Sequence, residues 1–368
     1  MRRITWAVAI VVVVAVALSG CGKKDASAVV KDLDHVVSKL ESYQGSGTMT
    51  LHTGQDPQEY QVEVWYQAPH FYRIALTNAK KDITQIVLRN DEGVFVLTPH
   101  LNKSFRFQSN WPENQGQVYL YQTLVSSIVA DNARHFADEK DAYVFDVAAN
   151  YQNSSLARQK IWLNKKSYAP QHVEITDANA KVMVVVNFDK FQFGKQFDKD
   201  SFDMQRNMTS WDINSLPTMT DNEEDEAAGN DPSANATGED GAKSDSQTAS
   251  GSEEESGDFG IFEPAYMPEG VVKQDMKQIK LGDRNAVLIR YSGDYNYSLI
   301  ESRPKDREVS VLPGTVVDLG YTVGLLTGDA MKTLTWMSDG VEFRLSTADL
   351  PETEMIHIAQ SVQGEVGK

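Results

Sequence analysis

The sequence has little of several features that define common classes of protein. One cysteine in 368 residues excludes an internal disulfide framework and any multi-cysteine metal site. Basic residues are outnumbered, with 35 Lys and Arg against 52 Asp and Glu. The formal net charge of -17 at pH 7 argues against a nucleic acid partner, whose phosphates require a basic surface. The seven histidines are scattered with no pair at three- or four-residue spacing, so we predict no metal site and no cofactor.

Motifs for catalysis are also missing. The chain has no phosphate loop, no Gly-x-Gly-x-x-Gly and no His-Glu-x-x-His. The segment most similar to a nucleophile elbow is Gly320-Tyr321-Thr322-Val323-Gly324, where threonine replaces the serine. A turn or bulge explains its two glycines better. We therefore predict no catalytic residues, and a binding or regulatory protein rather than an enzyme.

The first residues carry a targeting signal. Arg2 and Arg3 precede fifteen residues, 4–18, that are apolar apart from Thr5. A helix that spans a membrane needs about 20 apolar residues. A shorter run behind a basic start is typical of a secretory signal peptide, which we place at residues 1–20.

The signal peptide ends in Leu18-Ser19-Gly20-Cys21, which resembles the lipobox of bacterial lipoproteins. The resemblance implies cleavage before Cys21, a diacylglyceryl thioether on its sulfur, and N-acylation with a chain such as palmitate. A plain signal peptide, or a short anchor with an incidental cysteine, is the alternative. Two or three acyl chains give stable anchoring, so the resemblance implies a protein tethered through residues 21–25 to the extracytoplasmic face of the cell membrane.

An acidic segment divides the rest of the chain. Residues 221–258 contain thirteen Asp or Glu, one lysine, no aromatic residue and no Val, Ile, Leu or Met. Such a composition cannot bury enough apolar surface to fold, which predicts a disordered, self-repelling linker over residues 212–258. Two folded parts then remain, residues 26–211 and residues 259–368. Calcium binding by the linker is a weaker alternative, because the loop spacing of an EF-hand is absent.

The first part has the pattern of a sheet with two helices. Apolar residues at helical spacing predict one helix around residues 29–40 and another around residues 120–129. Alternating runs predict strands; they lie at residues 60–67, 71–76, 83–88, 94–97, 103–107, 143–147, 158–163, 172–176 and 182–188. We expect an α+β fold in which a curved antiparallel sheet forms an incomplete β-barrel closed by the helices.

The second part is smaller and also has an α+β pattern. Strands are predicted at residues 287–291, 297–302, 334–336 and 341–345. Asp339-Gly340 between the last two is a strong hairpin signal. A helix is predicted from about residue 351, with Met355, Ile358, Ala359 and Val362 facing the sheet.

Aromatic and apolar residues on the strands of the first part are the candidate binding residues. One interpretation is an ordinary core. The other is an apolar cavity beneath the helices that holds an acyl chain, to which burial at about 25 cal/mol per Å² would give several kcal/mol of affinity. The candidates are Tyr66, Phe71, Tyr72, Ile74, Leu88, Phe95, Leu97, Phe105, Phe107, Phe145 and Trp162.

Three segments of the first part resemble the superfamily of the carrier LolA, the receptor LolB and the regulator RseB. These are residues 65–74, where a strand stops at Pro69 and restarts with aromatics and Arg73, residues 90–99, and residues 187–202. The resemblance implies an incomplete barrel with a cavity for acyl chains or lipidated partners. The whole layout is similar to Gram-positive sporulation lipoproteins of the YdcC type, and residues 264–362 resemble the C-terminal domains of RseB-type regulators. Soluble LolA shuttles and RseB proteins lack the lipid anchor that Cys21 implies here.

Two functions follow from these features. The first is a membrane-anchored lipoprotein that binds acyl chains of a lipid or lipoprotein in the cell envelope, with a role in sporulation implied by the resemblance alone. The second is an RseB-like regulatory module that binds an envelope protein partner through residues 259–368.

Overall fold

The computed structural model describes residues 24–53, 56–107, 111–112, 116–151, 156–214, 261–282, 284–303 and 314–366. The predicted signal peptide, Cys21 and residues 215–258 of the predicted linker lie outside the described residues, as does the side chain of Phe107. The structure therefore describes most of the two parts predicted to be folded, residues 26–211 and residues 259–368.

The first part forms one open antiparallel sheet of eleven strands in the order β6-β5-β4-β3-β2-β1-β11-β10-β9-β8-β7. The strands are β1 (Ser42–Leu51), β2 (Gln58–Gln67), β3 (Phe71–Asn78), β4 (Ile83–Asn90), β5 (Gly93–Thr98), β6 (Lys103–Phe107), β7 (His135–Asp138), β8 (Ala142–Ala148), β9 (Arg158–Asn164), β10 (Pro170–Thr176) and β11 (Val182–Phe193). The helices are α1 (Ala26–Ser38), α2 (Tyr121–Ala130) and α3 (Met204–Asn214). The predicted α+β class is confirmed. α3 was not predicted, and it continues three residues into the segment expected to be linker.

Strand β1 is the central element that the sequence pattern did not predict. It pairs with β2 on one side and β11 on the other, so it joins the two halves of the sheet. Gly45 and Gly47 weaken its strand propensity, but the fold requires both. A Cβ on Gly47 would lie 1.9 Å from the carbonyl oxygen of Asn187, and one on Gly45 would lie 2.8 Å from the ring of Phe191. The glycines therefore allow close approach of β11.

The helix α1 begins with a side-chain cap, because Asp25 Oδ1 accepts a hydrogen bond of 2.8 Å from the backbone N–H of Ala28. Val29 and Leu33, one turn apart, are fully buried. α1 packs against α2, and both helices cover the same face of the first sheet.

The second part forms a seven-stranded antiparallel sheet in the order β13-β14-β15-β19-β18-β17-β16. Its strands are β13 (Val271–Leu281), β14 (Arg284–Gly293), β15 (Tyr297–Ser302), β16 (Thr315–Asp318), β17 (Val323–Thr327), β18 (Lys332–Ser338) and β19 (Val341–Thr347). Two short strands, β12 (Ile261–Pro264) and β20 (Val362–Val366), pair with each other. The helix α4 spans Glu352–Ser361, so Val362, predicted to be helical, instead starts β20.

The hairpin predicted in the second sheet is confirmed. Asp339 and Gly340 connect β18 to β19 with φ angles of 50° and 78°. A two-residue turn with both φ angles positive matches the twist of the flanking strands, and Asp-Gly tolerates that conformation well.

The two sheets contact each other through the β3–β4 turn, strands β2 and β4, and the segment that follows β1. Lys81 forms an ion pair with Asp339 at the tip of the second-sheet hairpin. Thr53 Oγ1 donates a 3.2 Å hydrogen bond to the carbonyl of Gln360, and Gln85 Nε2 donates one of 3.3 Å to the carbonyl of Met337. Buried apolar residues of both sheets belong to one continuous core.

Candidate functional site

A row of aromatic side chains crosses four neighbouring strands on the helix-covered face of the first sheet. In register, Tyr72 of β3 lies opposite Tyr66 of β2, Tyr66 opposite Tyr43 of β1, and Tyr43 opposite Phe193 of β11. Directly opposed side chains in a sheet share a face. The ring centroids of Tyr66 and Tyr72 are 4.9 Å apart, and those of Tyr43 and Tyr66 are 5.4 Å apart. The register thus builds a continuous aromatic surface.

Three more rings complete this surface, which we call the aromatic cluster. Its members are Tyr43, Tyr66, Tyr72, Trp111, Tyr121, Phe191 and Phe193. Tyr121, the first residue of α2, makes an edge contact with Phe193 at 5.0 Å. Phe191 stacks on Tyr43 at 5.0 Å in the space that Gly45 leaves free.

The hydroxyl groups at the centre of the aromatic cluster are bound by the start of α2. Tyr43 Oη donates a 2.9 Å hydrogen bond to Gln122 Oε1 and accepts one of 3.3 Å from the backbone N–H of Tyr121. Gln122 Nε2 also donates to Tyr72 Oη at 3.3 Å. Burial raises the pKa of Tyr43 well above its usual value, so this phenol stays neutral. The network fixes α2 on the sheet.

The β11 end of the aromatic cluster differs from its centre in two ways. Phe191 and Phe193 are only partly buried, whereas Tyr43 and Tyr121 are fully buried. The Tyr121 hydroxyl is buried without a hydrogen-bond partner among the described residues. Burial, followed by the neighbouring Tyr168, raises the pKa of Tyr121. An accessible apolar edge beside an unpaired hydroxyl can accept an apolar chain that carries a polar group.

The structure divides the predicted cavity residues between the two faces of the first sheet. Tyr66, Tyr72, Ile74, Phe105 and Phe145 belong to the core on the helix-covered face. Phe71, Leu88, Phe95 and Leu97 belong to a separate cluster on the opposite face. Trp162 contacts His172 at 4.6 Å and lies on the strand β9 next to the inward-facing Ile161, so it also faces away from the helices. Phe107 aligns with Val94 at the sheet edge.

The prediction of one cavity lined by all these residues is therefore wrong, because successive side chains of a strand point to opposite faces. The opposite face is instead closed by the chain around α3. Phe202 contacts Phe71 at 5.7 Å, and the buried Arg73 donates from Nε to Asn207 Oδ1 at 2.6 Å. Arg73 also pairs with Glu63 at 2.8 Å and lies over the ring of Trp65.

Five residues of the aromatic cluster were missing from the candidates predicted from sequence. They are Tyr43, Trp111, Tyr121, Phe191 and Phe193. The alternation Phe191-Gln192-Phe193 was a usable signal for a strand with one aromatic face. Tyr43 was missed because the glycines of β1 weaken the strand pattern around it. The contact of Tyr121 with β11 depends on the tertiary fold, so no local pattern predicts it.

The described part of the chain contains neither a cluster of metal-binding side chains nor a membrane-spanning helix. No group of three or more His, Cys, Asp or Glu side chains there could hold a metal ion. Within the same residues, no helix is both long enough and apolar enough to cross a bilayer.

The fold and the aromatic cluster define an α+β protein of two contacting antiparallel sheets, with a helix-covered aromatic surface on the larger one. The family described as "Sporulation protein YdcC-like" matches residues 1–202. The sporulation protein YdcC of Bacillus subtilis (strain 168) is 39% identical over 355 residues, which cover 95% of this chain and 94% of the relative. The chain therefore belongs to the YdcC-like family of sporulation proteins.

Solved structures show weaker similarity. The MucA/MucB complex of Pseudomonas aeruginosa contains a chain that is 12% identical, with a TM-score of 0.31 and coverage of 94% of this chain and 100% of that one. A LolA superfamily protein of Nitrosomonas europaea is 11% identical, with a TM-score of 0.27 and coverage of 48% and 97%. A chain in the complex of the CwlD amidase with the GerS lipoprotein of Clostridioides difficile is 13% identical, with a TM-score of 0.25 and coverage of 48% and 97%. Scores this low support no inference about ligands or partners.

Proposed function

We propose that this chain is a lipoprotein, anchored through Cys21 to the extracytoplasmic face of the membrane, that binds an acyl chain of a lipid or lipoprotein at the aromatic cluster. Its role is one of binding, not catalysis. The observation that carries the proposal is the β11 end of the cluster, where the partly exposed rings of Phe191 and Phe193 contact the ring of Tyr121, whose buried hydroxyl has no hydrogen-bond partner among the described residues.

The chemistry of that end suits an amphiphile. Aromatic rings offer a large apolar contact area, and burying a hydrocarbon chain contributes about 25 cal/mol per Å². A buried hydroxyl without a partner can donate to a carbonyl or carboxylate oxygen of the same ligand, which removes the cost of leaving that hydroxyl unpaired. The cluster would accordingly favour a fatty acyl group over a plain hydrocarbon.

Binding can be tested with palmitate and residues 22–368, which lack the lipidated cysteine. We expect a palmitate adduct in native mass spectrometry and a higher Tm, since a ligand that binds only the folded state stabilises it. Phe193→Asp should abolish both effects, because a carboxylate at the accessible edge must be desolvated when the acyl chain enters.

The matched control is Phe197→Asp. Phe197 is also partly buried, but it stacks on Trp65 at 5.3 Å on the opposite face of the sheet. This variant should still bind palmitate. Absence of an adduct and of a Tm shift with the unaltered sequence, or equal loss in both variants, would contradict the proposal.

A second candidate function, binding of an envelope protein through residues 259–368, is favoured by a separate observation. Large hydrophobic side chains that are exposed among the described residues are Val129 and four residues of the second part, Met267, Val272, Met276 and Met331. Val272 and Met331 are 57% and 58% exposed. Exposed methionines adapt to irregular apolar partners.

This second function predicts that cross-linking in intact membranes joins the chain to a protein through its second sheet. Met331→Arg together with Val272→Arg should remove that product, whereas Val129→Arg, on α2, should not. Retention of the cross-linked product in the double variant would contradict partner binding at this surface.

A further inference from the structure

Three side chains form a compact cluster just after the proposed lipidation site. Lys24 Nζ donates to Asp32 Oδ2 at 2.6 Å and to Tyr168 Oη at 2.8 Å, and Tyr168 Oη donates to Asp32 Oδ2 at 2.7 Å. Lys24 also lies 5.5 Å from the centroid of the Tyr168 ring. The two partners raise the pKa of Lys24, and Lys24 in turn lowers the pKa of Asp32.

The cluster connects the beginning of the fold to a rigid part of it. Asp32 lies on α1, whereas Tyr168 lies in the turn between β9 and β10. Tyr168 is buried and stacks on Tyr143 of β8, with ring centroids 6.1 Å apart and 20° between their planes. An isolated exposed ion pair contributes little stability. Three mutually bonded groups, one of them buried, can nevertheless hold a chain segment in one position.

The position of this cluster along the sheet is set by strand register. Leu51, at the far end of β1, lines the contact with Gly320 and Gln360 of the second part. Tyr43, eight residues earlier on β1, lies at the opposite end, roughly 27 Å away at about 3.3 Å per residue. Tyr168 lies at the same end of the sheet as Tyr43. It precedes the first residue of β10, and the last residues of β10 pair with β11 near Val184, which is also the partner of Leu51 at the far end.

The partly buried rings of the aromatic cluster, Phe191 and Phe193, lie at that same end, because Phe193 pairs with Tyr43. Tyr168 lies close enough to Tyr121 to contribute to the raised pKa of Tyr121, after burial, and Tyr121 contacts Phe193 at 5.0 Å. Lys24 is three residues from Cys21, and three residues span at most about 11 Å. A lipid on Cys21 therefore keeps the backbone of Lys24 within about 11 Å of the headgroups, and the Lys24 side chain binds Tyr168 at this end of the sheet.

We infer that Lys24, Asp32 and Tyr168 orient the anchored protein, so that the end of the first sheet carrying the aromatic cluster faces the bilayer and the second sheet points away from it. The partner of this surface is the lipid bilayer itself. The inference rests on the proposed lipid anchor, but not on acyl-chain binding. It means that an acyl chain could enter the aromatic cluster directly from the membrane.

Orientation can be measured by fluorescence quenching in phosphatidylcholine vesicles that contain a headgroup-labelled nitroxide lipid. Lipidation consumes the single native cysteine, so a fluorophore can be placed on one new cysteine in the full-length lipoprotein. Lys166→Cys, in the exposed β9–β10 turn, places it near Tyr168, and Lys280→Cys places it on the second sheet. We expect quenching at position 166 and none at position 280.

The variants that test the cluster are Lys24→Met and Asp32→Asn. Each should reduce the difference in quenching between the two positions, because the anchored chain can then rotate about its tether. The matched control is Lys332→Met, which removes an exposed ion pair of the same 2.6 Å length with Glu352 on the second part. It should leave the quenching pattern unchanged.

Equal quenching at both positions in the otherwise unaltered chain would overturn the inference, and so would an unchanged pattern in both cluster variants. Failure of the lipid anchor is a separate result, in which the unaltered chain does not sediment with vesicles and Cys21 reacts with thiol reagents. Orientation is then measured with a Cys21→Ser chain, starting at residue 21 and held on a nickel-chelating lipid by an N-terminal hexahistidine tag, and the same outcomes apply.

Discussion

Tyr60 of the first sheet and Tyr321 of the second are stacked, with ring centroids 6.3 Å apart and 11° between the ring planes. Tyr321 is also tied to its own part, because its hydroxyl donates a 3.0 Å hydrogen bond to the carbonyl of Ala359 on α4. The ion pair of Lys81 with Asp339 lies in the same contact region. These contacts indicate that the two sheets unfold together.

Tyr60→Ala should weaken this coupling. Removing a buried aromatic ring costs about 3 kcal/mol or more, and the loss here falls on the contact between the sheets. We expect a lower Tm in calorimetry and separation of one unfolding transition into two. Tyr295→Ala, at a partly exposed position of the second part, should lower Tm less and keep a single transition. A single transition in Tyr60→Ala would show that other contacts couple the sheets.

The close approach of β1 and β11 gives a second prediction. Gly47→Ala should destabilise the fold by about 3 kcal/mol, at the upper end of overpacking costs, because its Cβ would lie 1.9 Å from the backbone oxygen of Asn187. Gly45→Ala should cost less, since the atom in its way belongs to the Phe191 side chain, which can rotate. Urea denaturation of both variants measures the difference. Equal losses would mean that the strands can separate at low cost.

The Tyr121 hydroxyl, which is buried and has no hydrogen-bond partner in the part of the chain that the structure describes, gives a third prediction. A buried polar group without a partner costs roughly 1–3 kcal/mol, so Tyr121→Phe should increase the free energy of unfolding in the absence of ligand by about 1 kcal/mol. Tyr43→Phe should have the opposite effect, because it removes the hydrogen bonds with Gln122 and the start of α2. A destabilised Tyr121→Phe chain would indicate that its hydroxyl is already paired.

Much of the fold follows from local sequence patterns. Alternating runs of β-branched and aromatic residues correctly predicted β2 to β6, and Asp339-Gly340 predicted its hairpin because that dipeptide suits positive φ angles. β1 was missed because its glycines serve tertiary packing against β11, which local propensity does not record. β13 was missed because only Val271 of its eleven residues is buried, so its apolar alternation is weak.

The site was harder to predict than the fold. Phe71 and Tyr72 are adjacent, so a strand must place them on opposite faces. The sequence alone was therefore enough to predict that these two side chains do not share a face. The sequence did not show which helices or segments cover each face of the sheet. The helix-covered face depends on α1 and α2, whereas the other face is covered by Phe202 and α3. Tyr121 and Phe193 lie 72 residues apart in the chain, so only the tertiary fold brings their rings together.

Asp318, at the contact between the two sheets, gives a prediction about pH. Its Oδ1 accepts a 2.7 Å hydrogen bond from the backbone N–H of Gly320, and the amide nitrogen of Gln117, oriented toward the carboxyl group, lies 3.2 Å from the same oxygen. Burial raises the pKa of Asp318 from 3.8 to about 7, more than these hydrogen bonds lower it. The folded protein therefore holds a proton that the unfolded chain releases above about pH 4.

This bound proton determines the direction in which the free energy of unfolding changes with pH. Between about pH 4 and pH 7 Asp318 holds more of its proton in the folded state than in the unfolded state, so its contribution to the free energy of unfolding falls as pH rises and is level above that range. Asp318→Asn removes this loss. Relative to the unaltered chain, the variant should gain about 3 kcal/mol more at pH 8 than at pH 5, because the loss is about 1.4 kcal/mol per pH unit over the two units from pH 5 to pH 7. Glu301, whose pKa burial also raises to about 7, is present in both chains and cancels in the comparison.

Urea denaturation at the two pH values measures this gain, and Asp349→Asn is the control. The Asp349 carboxylate accepts hydrogen bonds from the backbone and side-chain N–H groups of Asn296 at 3.0 and 2.9 Å, which lower its pKa. Its stabilising effect is complete above about pH 4, so the substitution should cost the same at pH 5 and pH 8. A gain from Asp318→Asn that did not change with pH would show that Asp318 is ionised in the folded protein at both values, and that the contact between the sheets tolerates its charge.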